Sequence, residues 1–181
     1  MKMNLSMISL AAISALSGCS TMSGSETGDA ALLARSTLSD AAGRGVGSAE
    51  ITRTGSTLYL SASVTGQGAG DHGIHFHAVG KCEAPGFTTA GGHLNPSAHQ
   101  HGNLNPAGPH LGDLPNMTVA ADGSGSLKAP LIGVPADLIA AMFDADGTAI
   151  VFHAGPDDYK TDPSGNSGGR LACGVLERLA D

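Results

Sequence analysis

The chain has 181 residues and a formal net charge of −7, with 9 Lys and Arg against 16 Asp and Glu, so it lacks the basic footprint that nucleic-acid binding requires. Its 27 glycines and 9 prolines, about a fifth of all residues, disfavour long helices, and 14% charged residues at a mean hydropathy of +0.05 exclude a disordered acidic chain. The length suits one domain, and no apolar run long enough for a membrane-spanning helix follows residue 20.

Residues 1–18 read as a signal peptide: Met1-Lys2 is a basic start, and residues 7–16 (MISLAAISAL) are an apolar stretch of secretory length. Leu16-Ser17-Gly18-Cys19 resembles a bacterial lipobox, in which the cysteine becomes the lipid-modified first residue. The alternative is an ordinary secretory cleavage nearby, with Cys19 removed or free. Ser20, not Asp, follows the cysteine, which by the same resemblance points to the outer membrane. The expected location is therefore the cell envelope, on the periplasmic side, with the protein held to the membrane by lipid on Cys19. Loss of Lys2 with the leader takes the net charge from −7 to −8. Residues 19–33 are mostly small and polar and read as a flexible tether, leaving 34–181 as the folded domain.

Strand patterns begin near Arg35. Leu58, Leu60, Ala62 and Val64 alternate with polar neighbours, the period-2 signature of a half-buried strand, and Val46 to Arg53 reads as its hairpin partner. Ile74–Val79, Asn116–Ala120, Gly125–Leu131, Thr148–His153 and Leu171–Leu176 read as further strands. Asp122-Gly123 and Asp146-Gly147 are hairpin turn signals, and Pro135–Phe143 has room for one or two helical turns. Two long segments, 80–115 and 154–170, interrupt the pattern, and loops of such length are uncommon unless functional. About eight short strands joined by turns predict an all-β fold, an antiparallel barrel or sandwich.

Three cysteines are an odd number for an exported protein. Lipidation of Cys19 explains it and leaves Cys82 and Cys173 to pair in an oxidising compartment.

All eight histidines lie between residues 72 and 153. His75 and His77, at i and i+2 of one strand, point to one face about 6.6–6.8 Å apart along the chain, with Ile74 and Phe76 facing the core on the other. His153 follows Ile150 and Phe152 by the same rule. Such pairs alone are more often inert surface residues. His93, His101, His110 and Asp113 form a four-ligand set suited to tetrahedral zinc, and His75, His77, His93 and His153 a nitrogen-only set suited to copper. His93 stands in both because an imidazolate has two donor nitrogens.

Four segments resemble the copper/zinc superoxide dismutase family: His72-Gly-Ile-His75-Phe-His77, Gly91-Gly92-His93-Leu94-Asn95-Pro96, His110-Leu-Gly-Asp113-Leu, and Gly168-Gly169-Arg170-Leu-Ala-Cys173-Gly-Val. They occur in family order, and the resemblance covers about residues 35 to 178. It implies an eight-stranded antiparallel Greek-key β-barrel. It implies copper on His75, His77, His93 and His153, and zinc on His93, His101, His110 and Asp113. It implies a Cys82–Cys173 disulfide, and Asp157 as a carboxylate that hydrogen-bonds one copper histidine (His75) and one zinc histidine (His101). The implied reaction turns two superoxide ions and two protons into oxygen and hydrogen peroxide, with His93 carrying a proton and Arg170 beside the copper. Lys160 is expected to add to the positive field, His72 to hold backbone by hydrogen bonds, and His99 to be exposed. The family contains monomers and homodimers, so both remain open. The competing reading is an exported copper/zinc-binding carrier on the same barrel without turnover.

Overall fold

The computed structural model describes Met1 and residues 30–180; the expected signal peptide, Cys19 and most of the expected tether lie outside the described residues. Among the described residues, ten strands and one α-helix follow in chain order: β1 (Ala31–Asp40), β2 (Gly45–Thr54), β3 (Thr57–Val64), β4 (Gly70–His72), β5 (Ile74–His77), β6 (Met117–Val119), β7 (Gly125–Pro130), α1 (Pro135–Met142), β8 (Ala149–His153), β9 (Arg170–Val175) and β10 (Glu177–Arg178). The hairpin expected from the alternation is β2–β3, in unbroken register from Gly47↔Val64 to Thr54↔Thr57. Its inward side chains, Ala49, Ile51, Leu58, Leu60, Ala62 and Val64, are all buried.

The sheet runs β4-β6-β7-β3-β2-β1-β9-β8-β5, with β10 paired to β1. β4 and β5 stand at opposite ends of this path yet are separated in the chain by Gly73 alone. The two ends of the sheet therefore meet, and the nine-strand path curls into a nearly closed antiparallel barrel. Counting β4 and β5 as one stave broken at Gly73 leaves eight staves. After β3 the chain crosses to β4 and returns through β6 and β7 to lie beside β3, a Greek key. Leu38, Ile51, Leu60, Ile74, Phe76, Met117, Ile150 and Phe152 fill the interior, and α1 adds Leu138 and Met142 to the same cluster. Among the described residues no helix is long and apolar enough to cross a membrane.

Several boundaries differ from the sequence reading. β1 begins at Ala31, so Ala31 and Leu32, read as tether, pair with β2 (Ala31↔Arg53, Leu32↔Thr52), and Leu33 falls at an irregularity in the register. The pairing is made by backbone groups, which composition does not reveal. β4 and β10 are too short to carry an alternation. Asp122-Gly123 does turn β6 into β7, but Asp146-Gly147 joins α1 to β8, where Asp144 Oδ1 accepts both their N–H groups (3.0 and 2.9 Å).

Cys82 and Cys173 are disulfide-bonded across 91 residues. The bridge sits outside the barrel wall in a second cluster with Phe87, Ala90, Ala149 and Val151.

Candidate metal centre

β5 presents Ile74 and Phe76 to the core and His75 and His77 to the outside of the wall. These histidines are nonetheless buried, at 0% and 1% exposure, because loop 80–115 folds back over them. The loop attaches to β5 by backbone pairing. Phe76 N–H donates to Gly112 O (3.0 Å), Leu94 N–H to Phe76 O (2.8 Å) and Ala78 N–H to Gly92 O (2.9 Å). Bridges His77↔His93 and His75↔Asp113 result. A side chain at Gly112 would collide with Phe76 O, so only glycine permits this approach. The second loop, 154–170, closes from the other side. There a side chain at Gly165 (φ 64°) would collide with Asp157 Oδ1.

Two donor groups result, with the atoms of each within 4.8 Å of one another: His75, His77, His93 and His153; and His93, His101, His110 and Asp113. In the first, the opposite ring nitrogens are engaged. His75 Nε2 lies 2.7 Å from Asp157 Oδ2, His77 Nδ1 2.9 Å from Gly91 O, His93 Nδ1 2.8 Å from Asp113 Oδ1 and His153 Nδ1 3.4 Å from Gly168 O. The remaining nitrogens, His75 Nδ1, His77 Nε2, His93 Nε2 and His153 Nε2, are buried without a hydrogen-bond partner. Buried polar atoms are rarely left so, and four neutral imidazole nitrogens suit a copper-type ion.

In the second group Asp113 Oδ1 lies 2.8 Å from His93 Nδ1, 3.0 Å from His101 Nδ1 and 3.2 Å from His110 Nδ1, with His93 and His110 Nδ1 3.4 Å apart. A tetrahedron with spokes of ~2.0 Å has edges of ~3.3 Å, so these donors fit zinc. Asp113 Oδ2 accepts N–H groups from Gly102 (2.8 Å) and His110 (2.9 Å), which hold the carboxylate in place. A third close group, His75, His101 and Asp157, is a hydrogen-bonded bridge: Asp157 Oδ2 faces His75 Nε2 and Oδ1 faces His101 Nε2 (2.9 Å).

Burial dominates the titration of the first group. It pushes His77 down to about 2, His153 to about 3 and His93 to about 4, and it lowers His75 as well. At His101 burial also favours the neutral ring, but hydrogen bonds to Asp113 and Asp157 outweigh it and raise the ring to about 9. For both carboxylates burial works upward, and their histidine partners nevertheless hold them well below the usual range.

Arg170, at the start of β9, donates from Nη1 to Phe87 O and from Nη2 to Gly91 O, both 2.6 Å. A cleft of 490 Å³ opens from the first group to solvent, lined by His77, His93, His153, Arg170, Asp162 and Ser164 among others. Lys160 is exposed and is not in this lining, whereas Asp162 is. His72 bonds backbone, with Nδ1 2.8 Å from His153 O and Nε2 2.9 Å from Gly68 O, and His99 is exposed. Sequence reasoning missed Asp162, whose Oδ1 accepts His101 N–H (2.7 Å), and Asn116, which bonds the Asp157 backbone. Both contacts span long separations that no local motif encodes.

An antiparallel barrel whose outer wall carries two donor groups sharing one imidazole defines a dinuclear metalloprotein. The sequence profile of copper/zinc superoxide dismutase matches residues 46–176. The chain is 42% identical over 141 residues to Cu-Zn superoxide dismutase 1 of Aquifex aeolicus, covering 75% of this chain and 82% of that one. It is 41% identical over 139 residues to the Cu-Zn superoxide dismutase of Caulobacter vibrioides, covering 75% and 80%. The crystal structure of a superoxide dismutase-like protein from Bacillus subtilis superposes with a TM-score of 0.73 at 36% identity, covering 79% of this chain and 97% of that one. The chain belongs to the copper/zinc superoxide dismutase family.

Proposed function

We propose that the protein disproportionates superoxide to oxygen and hydrogen peroxide, with copper on His75, His77, His93 and His153 and zinc on His93, His101, His110 and Asp113. The observation that carries this reading is the His93 ring, which offers Nε2 to one group and Nδ1 to the other. When bound, copper supplies the one-electron change that oxidises one superoxide and reduces the next, and zinc, redox-silent, supplies charge. Arg170 draws the anion into the cleft and, tied to two carbonyls, cannot swing away. When copper does not hold it, His93 Nε2 would carry a proton for the superoxide that is reduced. The cleft admits a diatomic anion from one side, while Asp157 fixes the orientations of His75 and His101.

Superoxide turnover by copper- and zinc-loaded protein, with His153→Ala as control, tests this reading. A carrier would bind both metals and give no turnover in either protein.

Zinc affinity is expected to rise about tenfold per pH unit up to about 9, because zinc must displace the proton that His101 keeps below that pH. Copper affinity is expected to be flat above about pH 5, since His77, His93 and His153 are already neutral there. Competition titrations against chelators across pH check both slopes.

The substrate is an anion and the protein carries −7, so the local field of Arg170 must overrule the global one. Raising salt is expected to slow kcat/KM, and Arg170→Ala to lower it by ~10-fold while flattening the salt response. A rate that rises with salt would mean net repulsion.

We place the enzyme in the cell envelope, lipid-anchored to the outer membrane through Cys19 and protecting the envelope from superoxide. The Leu16–Cys19 motif and the Cys82–Cys173 disulfide support this reading. Metabolic labelling with a radiolabelled fatty acid, lost in Cys19→Ala, tests the anchor.

A further inference from the structure

Asp157 joins the two donor groups, and its backbone is gripped from 41 residues away by a side chain outside both. Asn116, just before β6, turns both polar atoms of its amide onto Asp157: Oδ1 accepts Asp157 N–H (2.8 Å) and Nδ2 donates to Asp157 O (2.9 Å). Asparagine carries donor and acceptor on one short, planar group, so it can engage both backbone atoms at once. The assembly continues through Tyr159. Its hydroxyl accepts Asn116 N–H (2.7 Å), and its N–H donates to Asp157 Oδ1 (2.6 Å). Tyr159 has φ 60°, a conformation a bulky residue keeps only when its surroundings over-determine it.

The two histidines that face Asp157 depend on it unequally. His75 is fixed by the β5–β8 ladder. His101 lies in an irregular loop, where only Asp162 Oδ1 takes its backbone N–H, so its ring direction relies on side-chain partners. Asp157 Oδ1, the oxygen facing His101, is also the one held by Tyr159. Asn116 follows Asp113 by three residues, so one short segment serves both the zinc group and the clamp.

We propose that Asn116 is a positioning residue for zinc: by clamping the Asp157 backbone it sets the direction of the His101 ring and with it the affinity of the zinc group. This deepens the assignment of zinc to His93, His101, His110 and Asp113 and rests on it.

The test titrates the copper-loaded full chain with zinc against a chromophoric chelator at fixed pH. Asn116→Ala is expected to weaken zinc binding about tenfold, with copper affinity changed less than about threefold. Cobalt(II) in the zinc position is expected to show shifted d–d bands. In an Asp157→Ala background Asn116→Ala is expected to add no further loss, because the path it acts through is gone. Unchanged zinc affinity, or the same tenfold loss added on top of Asp157→Ala, overturns the proposal. If Asn116→Ala does not fold, Asn116→Asp takes its place in the same cycle; it keeps the volume and the acceptor but loses the donor, with the same expected loss. His110→Ala stands apart: wild-type zinc affinity in that variant overturns the zinc assignment itself, whatever Asn116 does.

Discussion

His93→Ala is expected to lower superoxide turnover by ~10²–10⁴-fold, the range typical of losing a positioned proton donor. The same change removes one donor from each group, since His93 supplies Nε2 to the first and lies 2.8 Å from Asp113 through Nδ1 in the second. Zinc retention should therefore fall together with turnover, whereas His153→Ala takes a donor from the first group only. The barrel should survive. His93 lies outside the core cluster, and its segment is held to β5 by the backbone bonds of Leu94 and Gly92, which alanine leaves intact. Turnover, metal content and thermal stability measured on one preparation separate these effects. Turnover within tenfold of wild type would remove His93 from the mechanism.

Replacing Cys82 and Cys173 by serine is expected to cost about 2–5 kcal/mol of stability. Closing a loop of 91 residues accounts for about 4–5 kcal/mol in the chain-entropy model, an upper figure because structure left in the unfolded chain reduces it. Function should suffer too, for a local reason. The segment after Cys82 carries Phe87 O and Gly91 O, which hold Arg170, and Gly91 O also accepts from His77 Nδ1. Freeing this segment should lower kcat/KM while leaving the zinc group intact, because no member of that group bonds to it. Denaturant unfolding of metal-free protein gives the first number and steady-state turnover the second. A stability change below about 1 kcal/mol would show that the second core cluster holds the segment without the bridge.

The strand alternation made much of this legible. Period 2 assigned Ile74 and Phe76 to the core and His75 and His77 to the opposite face, and that is where they lie. It did not reveal that the opposite face is buried, because the loop covering it pairs through backbone atoms that no side-chain pattern records. The same limit hid the start of β1, the meeting of β4 and β5 across Gly73, and the presence of Asp162 at the cleft. Asn116 shows the limit most plainly: nothing near residue 116 hints at residue 157.

By itself, then, the amino-acid order determined an all-β chain, two interrupting loops, a histidine pair on one strand face and enough donors for two ions, because each follows from local periodicity or residue chemistry. Only the tertiary structure decided that one ring faces both donor groups, that four ring nitrogens end up buried without partners, and that a single carboxylate joins His75 to His101. These are distances between segments far apart in the chain, set by how the loops dock on the barrel wall.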